Sequence, residues 1–302
     1  LGLFNQLYGT TLYLESIDEH VKNINPVLVG RPIFQIHNAI SAFLAADQKL
    51  VCKHLDGYLA LTPSSIAKLD SHDQLFCSAY NRLLQQLIKA PFENDAPLLN
   101  DQTVFHLGES HCLSYAHRLI KIHGVDYTVA PRITFGGKAY HFSRKKEDAF
   151  KAITKANFDS LPDCSKVFIS FGEIDCRPNE GFISTASKLN RPIEDIIADT
   201  VHGYVNWFAE QNQHKNHRLF FFNVPAPCYD KKYTEEVNDK VTSTINMFNS
   251  LLSTVVVDHD FKVIDIYKCT VGNKGFSNGS FHIDNRHLSS TVISEVEKQI
   301  CI

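Results

Sequence analysis

The sequence predicts a three-layer α/β/α sandwich of the flavodoxin-like type, with a parallel sheet, over residues 101–302. Two observations predict it. Short apolar runs alternate with longer segments in which apolar residues recur every three or four positions, a pattern typical of strands and amphipathic helices in turn. The runs 167–171 and 219–222 are almost entirely apolar, which is typical of parallel strands buried on both faces.

The predicted elements follow one another in a strand-helix order through this region. Strands are predicted at 103–107, 127–130, 166–171, 218–222 and 261–266. Helices are predicted at 112–122, 191–213, 233–256 and 289–300. Because helical crossovers connect parallel strands, this order predicts a sheet with helices on both faces.

Residues 1–100 differ in pattern and are predicted to form a smaller N-terminal module of mixed or β-rich structure, joined by a Pro-, Asn- and Asp-rich linker at 91–101. Short strands are predicted at 10–14, 32–36 and 58–61, and a helix at 73–90. Two interpretations stay open. One is a β-rich module that is faintly trefoil-like, and the other, which we prefer, is a mixed cap packed on the main domain.

Composition narrows the class of protein. The chain has 302 residues, 44% of them hydrophobic, and no apolar run approaches the roughly 20 residues that span a membrane. A formal net charge of −3 supplies no basic field for nucleic acid. Eight cysteines without CxxC pairs favour incidental thiols in a reducing compartment, so a cytoplasmic protein is expected. The first residue, Leu1, indicates a processed product or a piece of a larger polypeptide.

Polar blocks follow four of the predicted strands. They are Gly-Glu-Ser-His at 108–111, Thr-Phe-Gly-Gly at 134–137, Gly-Glu-Ile-Asp-Cys-Arg at 172–177 and Asp-Asn-Arg-His-Leu-Ser at 284–289. In open parallel sheets, ligands bind beyond the carboxyl ends of the strands. The blocks are therefore expected to meet at one edge of the sheet.

These four blocks, in this order, resemble those of the SGNH (GDSL-like) hydrolase family: a GDS serine, a glycine, GxND and a final DxxH. The resemblance covers about the last two hundred residues, and its most specific part is Asp284 to Leu288, before the terminal helix. It implies a serine hydrolase in which Ser110 is the nucleophile and Asp284 and His287 complete the triad.

The chemistry of these residue types is consistent with that assignment. A serine hydroxyl becomes a nucleophile when an imidazole takes its proton, and a carboxylate then holds the imidazole in the correct tautomer. Gly108 is expected to let the strand turn sharply before Ser110, and a helix starting near Cys112 to direct its amides at the site. The backbone amides of Ser110 and of Gly136 or Gly137 are the predicted oxyanion hole.

Two positions depart from the family pattern. Ile174 stands where the family has its oxyanion asparagine, which implies either another donor, such as Arg177 or a different loop, or weak activity. Glu109 replaces the usual aspartate. Glu173, Asp175 and Arg177 form a charged cluster, which is interpreted either as a substrate-binding group or as an ion-pair network.

Three further side chains, two of them close to Ser110 in sequence, are candidates for a base, a reactive thiol or a metal ligand. His111 is a weaker choice of base than His287, because neighbouring residues at such a turn project differently. Cys112 is interpreted as a packing residue, with a reactive thiol as the alternative. His111, Cys112 and Cys176 match no structural zinc spacing, so neither a metal nor another bound cofactor is predicted.

Three functions remain open at this point. The family resemblance implies an esterase or acyl hydrolase acting on a small O-acylated or carbohydrate substrate, such as a glycan. An O-acyltransferase would use the same serine to move an acyl group from coenzyme A to a glycan, as in polysaccharide biosynthesis. The third function is a non-catalytic glycan-binding module with a decayed site.

Overall fold

The computed structural model describes residues 32–93 and 102–300 of the chain. The described residues belong to two compact units, one containing 32–93 and the other 102–300. The predicted strand at 10–14 and residues 94–101 of the predicted linker lie outside the described residues.

The first unit is helical throughout its described range. Its helices are α1 (Pro32–Leu44), α2 (Gln48–Leu59), α3 (Pro63–Ala67) and α4 (Ser71–Leu87). The N-cap of α2 is Asp47 and that of α4 is Asp70, and each carboxylate accepts a hydrogen bond from a backbone N–H in the first turn. The helix predicted at 73–90 corresponds to α4, which begins two residues earlier.

The strands predicted at 32–36 and 58–61 are wrong, and so is the β-rich interpretation over the described residues. Ile36, Ala39, Ile40 and Phe43 are all buried, and their spacing is that of one helix face. A five-residue window containing isoleucine and phenylalanine resembles a strand because it is too short to show that period. The packing of this unit on the main domain stays a prediction.

The second unit contains a six-stranded sheet in the order β2-β3-β1-β4-β5-β6. Its strands are β1 (Thr103–Gly108), β2 (Leu119–Ile122), β3 (Val125–Ile133), β4 (Lys166–Ser170), β5 (Arg218–Phe222) and β6 (Lys262–Ile264). All neighbours pair in parallel except β2, which pairs antiparallel with β3. The five parallel strands have the flavodoxin-like order, so the predicted sandwich is confirmed.

Helices cover both faces of the sheet. They are α5 (Ala139–Ser143), α6 (Ala149–Asp159), α7 (Glu173–Cys176), α8 (Phe182–Leu189), α9 (Ile193–Asn212), α10 (Glu235–Asp258), α11 (Ile266–Thr270) and α12 (Ile293–Ile300). Short 3-10 turns lie at Ser110–Tyr115, Asn273–Gly275 and Ser290–Val292. Among the described residues, none of the helices is long and apolar enough to cross a membrane.

The helix predicted at 112–122 is wrong. The chain forms the 3-10 turn Ser110–Tyr115, passes through a left-handed residue at His117, and continues as β2. In β2 exposed and buried residues alternate, which is the period of a strand and not of a helix. The prediction failed because the apolar residues of this segment suit a helix as well as a strand. Pairing with the longer strand β3 makes the segment an edge strand.

Two hydrophobic clusters pack against opposite faces of the sheet. Val167 and Ile169 of β4 face the cluster that contains Tyr204 and Phe208 of α9. Phe168, between them in sequence, faces the other cluster, which includes Val296 of α12. Both faces of the sheet are covered, so successive residues of a strand are buried whichever face they point to. This explains the continuous apolar runs.

Candidate active site

Ser110 lies at the carboxyl end of β1, where the strand passes into a 3-10 turn. Glu109 is the N-cap of that turn, and its side chain accepts a hydrogen bond from the His111 amide. Gly108 pairs with Ser170 at the end of β4, so Ser110 stands at the edge of the sheet where β1 and β4 end. Ser110 is half-buried, and the turn is too short to supply the helix N-terminus that was predicted at Cys112.

Gly108 is required by close packing and not by the sharp turn that was predicted. A Cβ atom at this position would meet the Oγ of Ser170 and would lie 2.8 Å from the Ser170 carbonyl oxygen. Strand β4 therefore comes closer to β1 at this point than a side chain would allow.

We expect Gly108→Ala to destabilise the protein by about 1 to 3 kcal/mol, the usual cost of overpacking, because the backbone at Ser170 has to move. Urea denaturation at fixed pH measures this. A variant as stable as the native protein would show that the two strands separate easily.

Asp284 and His287 lie on a closed loop between the last strand and α12. An antiparallel bridge joins His282 to Leu288 and closes the base of the loop. Inside it, Asp284 Oδ1 accepts hydrogen bonds from the amides of Arg286 and His287, both at 2.7 Å. These bonds orient the carboxylate so that its second oxygen faces the His287 ring.

The structure brings the three predicted triad residues together, although 177 positions separate Ser110 from His287. Ser110 Oγ lies 2.9 Å from His287 Nε2, and His287 Nδ1 lies 2.8 Å from Asp284 Oδ2. Burial opposes ionisation of Asp284, but the hydrogen bond and charge of His287 outweigh it and hold the pKa of Asp284 well below its usual range. An ionised Asp284 favours the His287 tautomer with its proton on Nδ1 and a free Nε2 that can act as a base.

A second carboxylate and imidazole pair, which was not predicted from the sequence, lies beside Ser110. Glu109 Oε2 is 2.8 Å from Ser110 Oγ, and Glu109 Oε1 accepts a hydrogen bond from His111 Nδ1. Both side chains are almost fully buried. Burial disfavours the charged ring, but the Glu109 carboxylate outweighs it and raises the pKa of His111 to about 9. The same pairing lowers the pKa of Glu109 despite its burial.

His111 also contacts the loop that holds His287. Its Nε2 lies 2.9 Å from the carbonyl oxygen of Arg286, and the rings of His111 and His287 have centroids 5.2 Å apart. The structure therefore gives His111 partners other than the Ser110 hydroxyl. The signal in the sequence was the titratable residues directly before and after the serine, but the second partner of His111, the Arg286 carbonyl, is 175 positions away in the chain.

The predicted oxyanion donors have different surroundings. The amide of Gly137 donates to the Thr134 carbonyl at 3.0 Å and closes a turn, so the prediction for Gly137 is wrong. Gly136 is exposed, in the left-handed region at φ +70°. The amides of Ser110 and Gly136 stay predicted donors. Ile174, at the position of the family's asparagine, is buried and has no polar side-chain atom to offer.

The charged cluster at 173–180 is an ion-pair network. Glu173 and Arg177 form a bidentate pair, with Arg177 Nε 2.9 Å and 3.1 Å from the two carboxylate oxygens, and Arg177 also contacts Glu180 at 2.8 Å. Burial opposes ionisation of Glu173, but the charge and hydrogen bonds of Arg177 outweigh it and lower the pKa of Glu173 to about 2. Because its guanidinium is already paired, Arg177 is a poor substitute for the missing oxyanion donor.

Asp175 is buried, and its carboxylate caps the short helix α5. Its oxygens accept hydrogen bonds from the amides of Ala139 at 2.8 Å and Tyr140 at 3.1 Å. The prediction that Asp175 binds substrate is corrected to a structural role. Cys112 is also buried, which raises the pKa of its thiol well above its usual range and makes it a packing residue.

Two groups of side chains among the described residues are close enough to hold a metal ion. One is the exposed group Asp70, His72 and Asp73 of the helical unit. The other is Glu109, His111 and Glu173, whose ligand atoms lie within 4.8 Å of one another at the active edge. In the second group the carboxylates are hydrogen-bonded to His111 or Arg177, so a metal would have to replace those bonds.

A small cavity lies beside the Glu109 and His111 pair. Apolar side chains form most of its wall, and its polar lining residues are Glu109, His111, Ser170, Glu173 and Asn223. Asn223 follows β5, and its side-chain amide donates a hydrogen bond to Asp265 Oδ1 at 2.8 Å, which holds it in the wall of this cavity.

No protein-family model matches the sequence, and no curated protein matches it. The chain is similar in structure to a GDSL-like lipase from Bacteroides thetaiotaomicron, at 15% identity, with 73% of this chain and 94% of that chain covered and a TM-score of 0.45. It is also similar to a lipase/acylhydrolase from Enterococcus faecalis, at 17% identity, with 66% and 93% covered and a TM-score of 0.40. An extracellular lipase from Streptomyces rimosus matches at 10% identity, with 64% and 95% covered and a TM-score of 0.42. Of these three proteins, the one from Bacteroides thetaiotaomicron is described as GDSL-like.

Proposed function

We propose that the protein is a serine-dependent esterase or acyl hydrolase. One observation carries the proposal: a continuous chain of hydrogen bonds from Ser110 Oγ through the ring of His287 to Asp284. A serine, an imidazole and a carboxylate in this order are the groups that nucleophilic acyl transfer needs. A non-catalytic binding module has no chemical need to keep all three in contact.

The reaction follows from the positions of these atoms. Ser110 Oγ attacks the ester carbonyl carbon while its proton passes to His287 Nε2, which gives a tetrahedral intermediate with a negative oxygen. The amides of Ser110 and Gly136 are the proposed donors to that oxygen. His287 then gives the proton to the leaving alcohol, and water, deprotonated by the same nitrogen, releases the acyl group from Ser110.

The proposed substrate is an O-acylated glycan or another hydroxylated molecule with a small acyl group. The family resemblance suggests this class. The O-acyltransferase function, with coenzyme A as donor, uses the same first half-reaction. It differs only in whether a sugar hydroxyl or water takes the acyl group from Ser110.

The proposal is tested with a fluorophosphonate probe, which reacts with an activated serine and needs no knowledge of the substrate. We expect intact-mass analysis of the native protein to show a single adduct, and peptide mapping to assign it to Ser110. The absence of an adduct between about pH 6 and 9 would favour the binding-module function instead.

A second measurement distinguishes hydrolysis from acyl transfer. It uses unlabelled protein from a preparation that reacts with the probe. We expect aryl acetates to be hydrolysed with a burst of the aryl alcohol, because an activated ester acylates Ser110 faster than water releases the acyl group. If acetyl-coenzyme A is consumed only when a glycan acceptor is added, the acyltransferase function is correct.

A further inference from the structure

Glu109 and His111 connect the turn that holds Ser110 with the loop that holds His287. One Glu109 oxygen lies 2.8 Å from Ser110 Oγ, and the other accepts from His111 Nδ1. His111 Nε2 lies 2.9 Å from the carbonyl oxygen of Arg286, the residue before His287. The two halves of the proposed triad are therefore joined twice, once through the triad itself and once through this buried pair.

The geometry around His111 requires a charged ring. Its two nitrogens face a carboxylate and a carbonyl oxygen, which are both acceptors. Because a neutral imidazole has one N–H, both hydrogen bonds form only when the ring has two protons. The titratable groups that face the ring come from β1, its following turn, α7 and the triad loop: His106, Glu109, Glu173, His282 and His287.

The hydroxyl of Ser110 has one proton and two acceptors. Glu109 Oε2 lies at 2.8 Å and His287 Nε2 at 2.9 Å. When Ser110 attacks, its proton passes to His287 and negative charge develops on the carbonyl oxygen of the substrate, two bonds from Ser110 Oγ. A carboxylate in contact with Ser110 Oγ repels this charge in a partly buried site, so an unpaired Glu109 would oppose the reaction.

We propose that Glu109 and His111 are a second charge pair of the active site, in which cationic His111 neutralises the carboxylate next to Ser110 and ties its turn to the His287 loop. Glu109 contacts the reacting oxygen directly, whereas His111 is a positioning residue that acts through Glu109 and Arg286. This inference rests on the proposed function.

The test is a double-mutant cycle on the rate of fluorophosphonate labelling. His111→Asn leaves the carboxylate uncompensated and is expected to lower the rate about 100-fold, the scale of losing one electrostatic contribution to the transition state. Glu109→Gln is expected to have a smaller effect. The double variant is expected to react about tenfold faster than His111→Asn, because residues in direct contact are not additive and the repulsion is gone.

The pH dependence gives a readout that a purely structural role would not change. In the native protein the labelling rate is expected to fall as the pH rises through the pKa of His111, about 9, because the ring then loses its charge. In Glu109→Gln and in the double variant this alkaline decline is expected to be absent. If His111→Asn does not fold, the comparison of native protein with Glu109→Gln still decides the question.

His217→Asn is the matched control. His217 is a buried histidine before β5, at the opposite edge of the sheet, and its Nδ1 accepts a hydrogen bond from the Ser165 amide at 3.2 Å. We expect it to label at the native rate, and thermal melting of every variant monitors folding. Glu109→Asp, which keeps the charge, is expected to retain the alkaline decline.

Three outcomes would overturn the inference. One is a double variant that reacts as slowly as or more slowly than His111→Asn, and another is an alkaline decline unchanged by Glu109→Gln. The third is labelling that EDTA abolishes and Zn²⁺ restores, which would make Glu109, His111 and Glu173 a metal site. A native protein that does not react at all contradicts the proposed function, and so is distinguishable from all three.

Discussion

Replacing Ser110 with alanine is expected to lower kcat for aryl acetate hydrolysis by about 10⁶-fold, the scale seen when a triad serine is removed. The physical reason is that the variant has no oxygen that His287 can activate. Residues of a triad act as a unit, so we expect His287→Ala to cause a similar loss and the double variant to be no slower than either single variant.

Ser114→Ala is the control for this series. Ser114 lies in the same 3-10 turn, is buried, and its hydroxyl has no hydrogen-bond partner among the described residues. Removing an unpaired buried hydroxyl costs little, so this variant is expected to keep native activity and stability. If Ser110→Ala hydrolyses aryl acetates at the native rate, the nucleophile lies elsewhere and the proposed mechanism is wrong.

Replacing Asp284 with asparagine is expected to lower kcat by about 10⁴-fold, the cost of holding a triad histidine in the wrong tautomer. The loop gives a specific reason. Two backbone amides donate to Oδ1, so the asparagine carbonyl oxygen takes that position and its NH₂ group faces His287 Nδ1. His287 then keeps its proton on Nε2, where it cannot accept one from Ser110.

Asp148→Asn is the matched control, because the chain contains the same arrangement at a second place. Asp148 Oδ1 accepts from the amides of Phe150 and Lys151, both at 3.0 Å, and its Oδ2 lies 3.1 Å from His141 Nδ1. We expect this variant to keep native kcat, although the cap of α6 is altered. Equal losses in the two variants would indicate that Asp284 acts only through folding.

The parallel strands were predictable because the pattern that indicates them lies within a few consecutive residues. The core strands β4 and β5 consist of consecutive apolar residues, and burial on both faces leaves few other ways to place such a run. The predictions of a strand at 32–36 and a helix at 112–122 were wrong for the opposite reason. Each is short and contains apolar residues that suit two periods, and tertiary packing chose between them.

The residues of the proposed triad were predictable in part from position. Ser110 directly follows β1, and Asp284 and His287 lie in the long segment between β6 and α12. Residues that come after parallel strands collect at one edge of the sheet. The structure brings these three together, as their positions suggested. Gly137 and Asp175 lie in equally suitable positions, but their polar atoms are engaged with Thr134 and with α5, which no local pattern reveals.

The sequence alone determined the class of fold and the residue types at the active edge, because both depend on the order of apolar runs and of the polar residues that follow them. Only the tertiary structure decided what those residues do to one another. Glu109 and His111 are two positions apart in sequence, but the charge on His111 depends on an acceptor at Arg286, 175 positions away. Protonation, pairing and close approach are properties of distances between atoms, and the chain sets those distances only when it is folded.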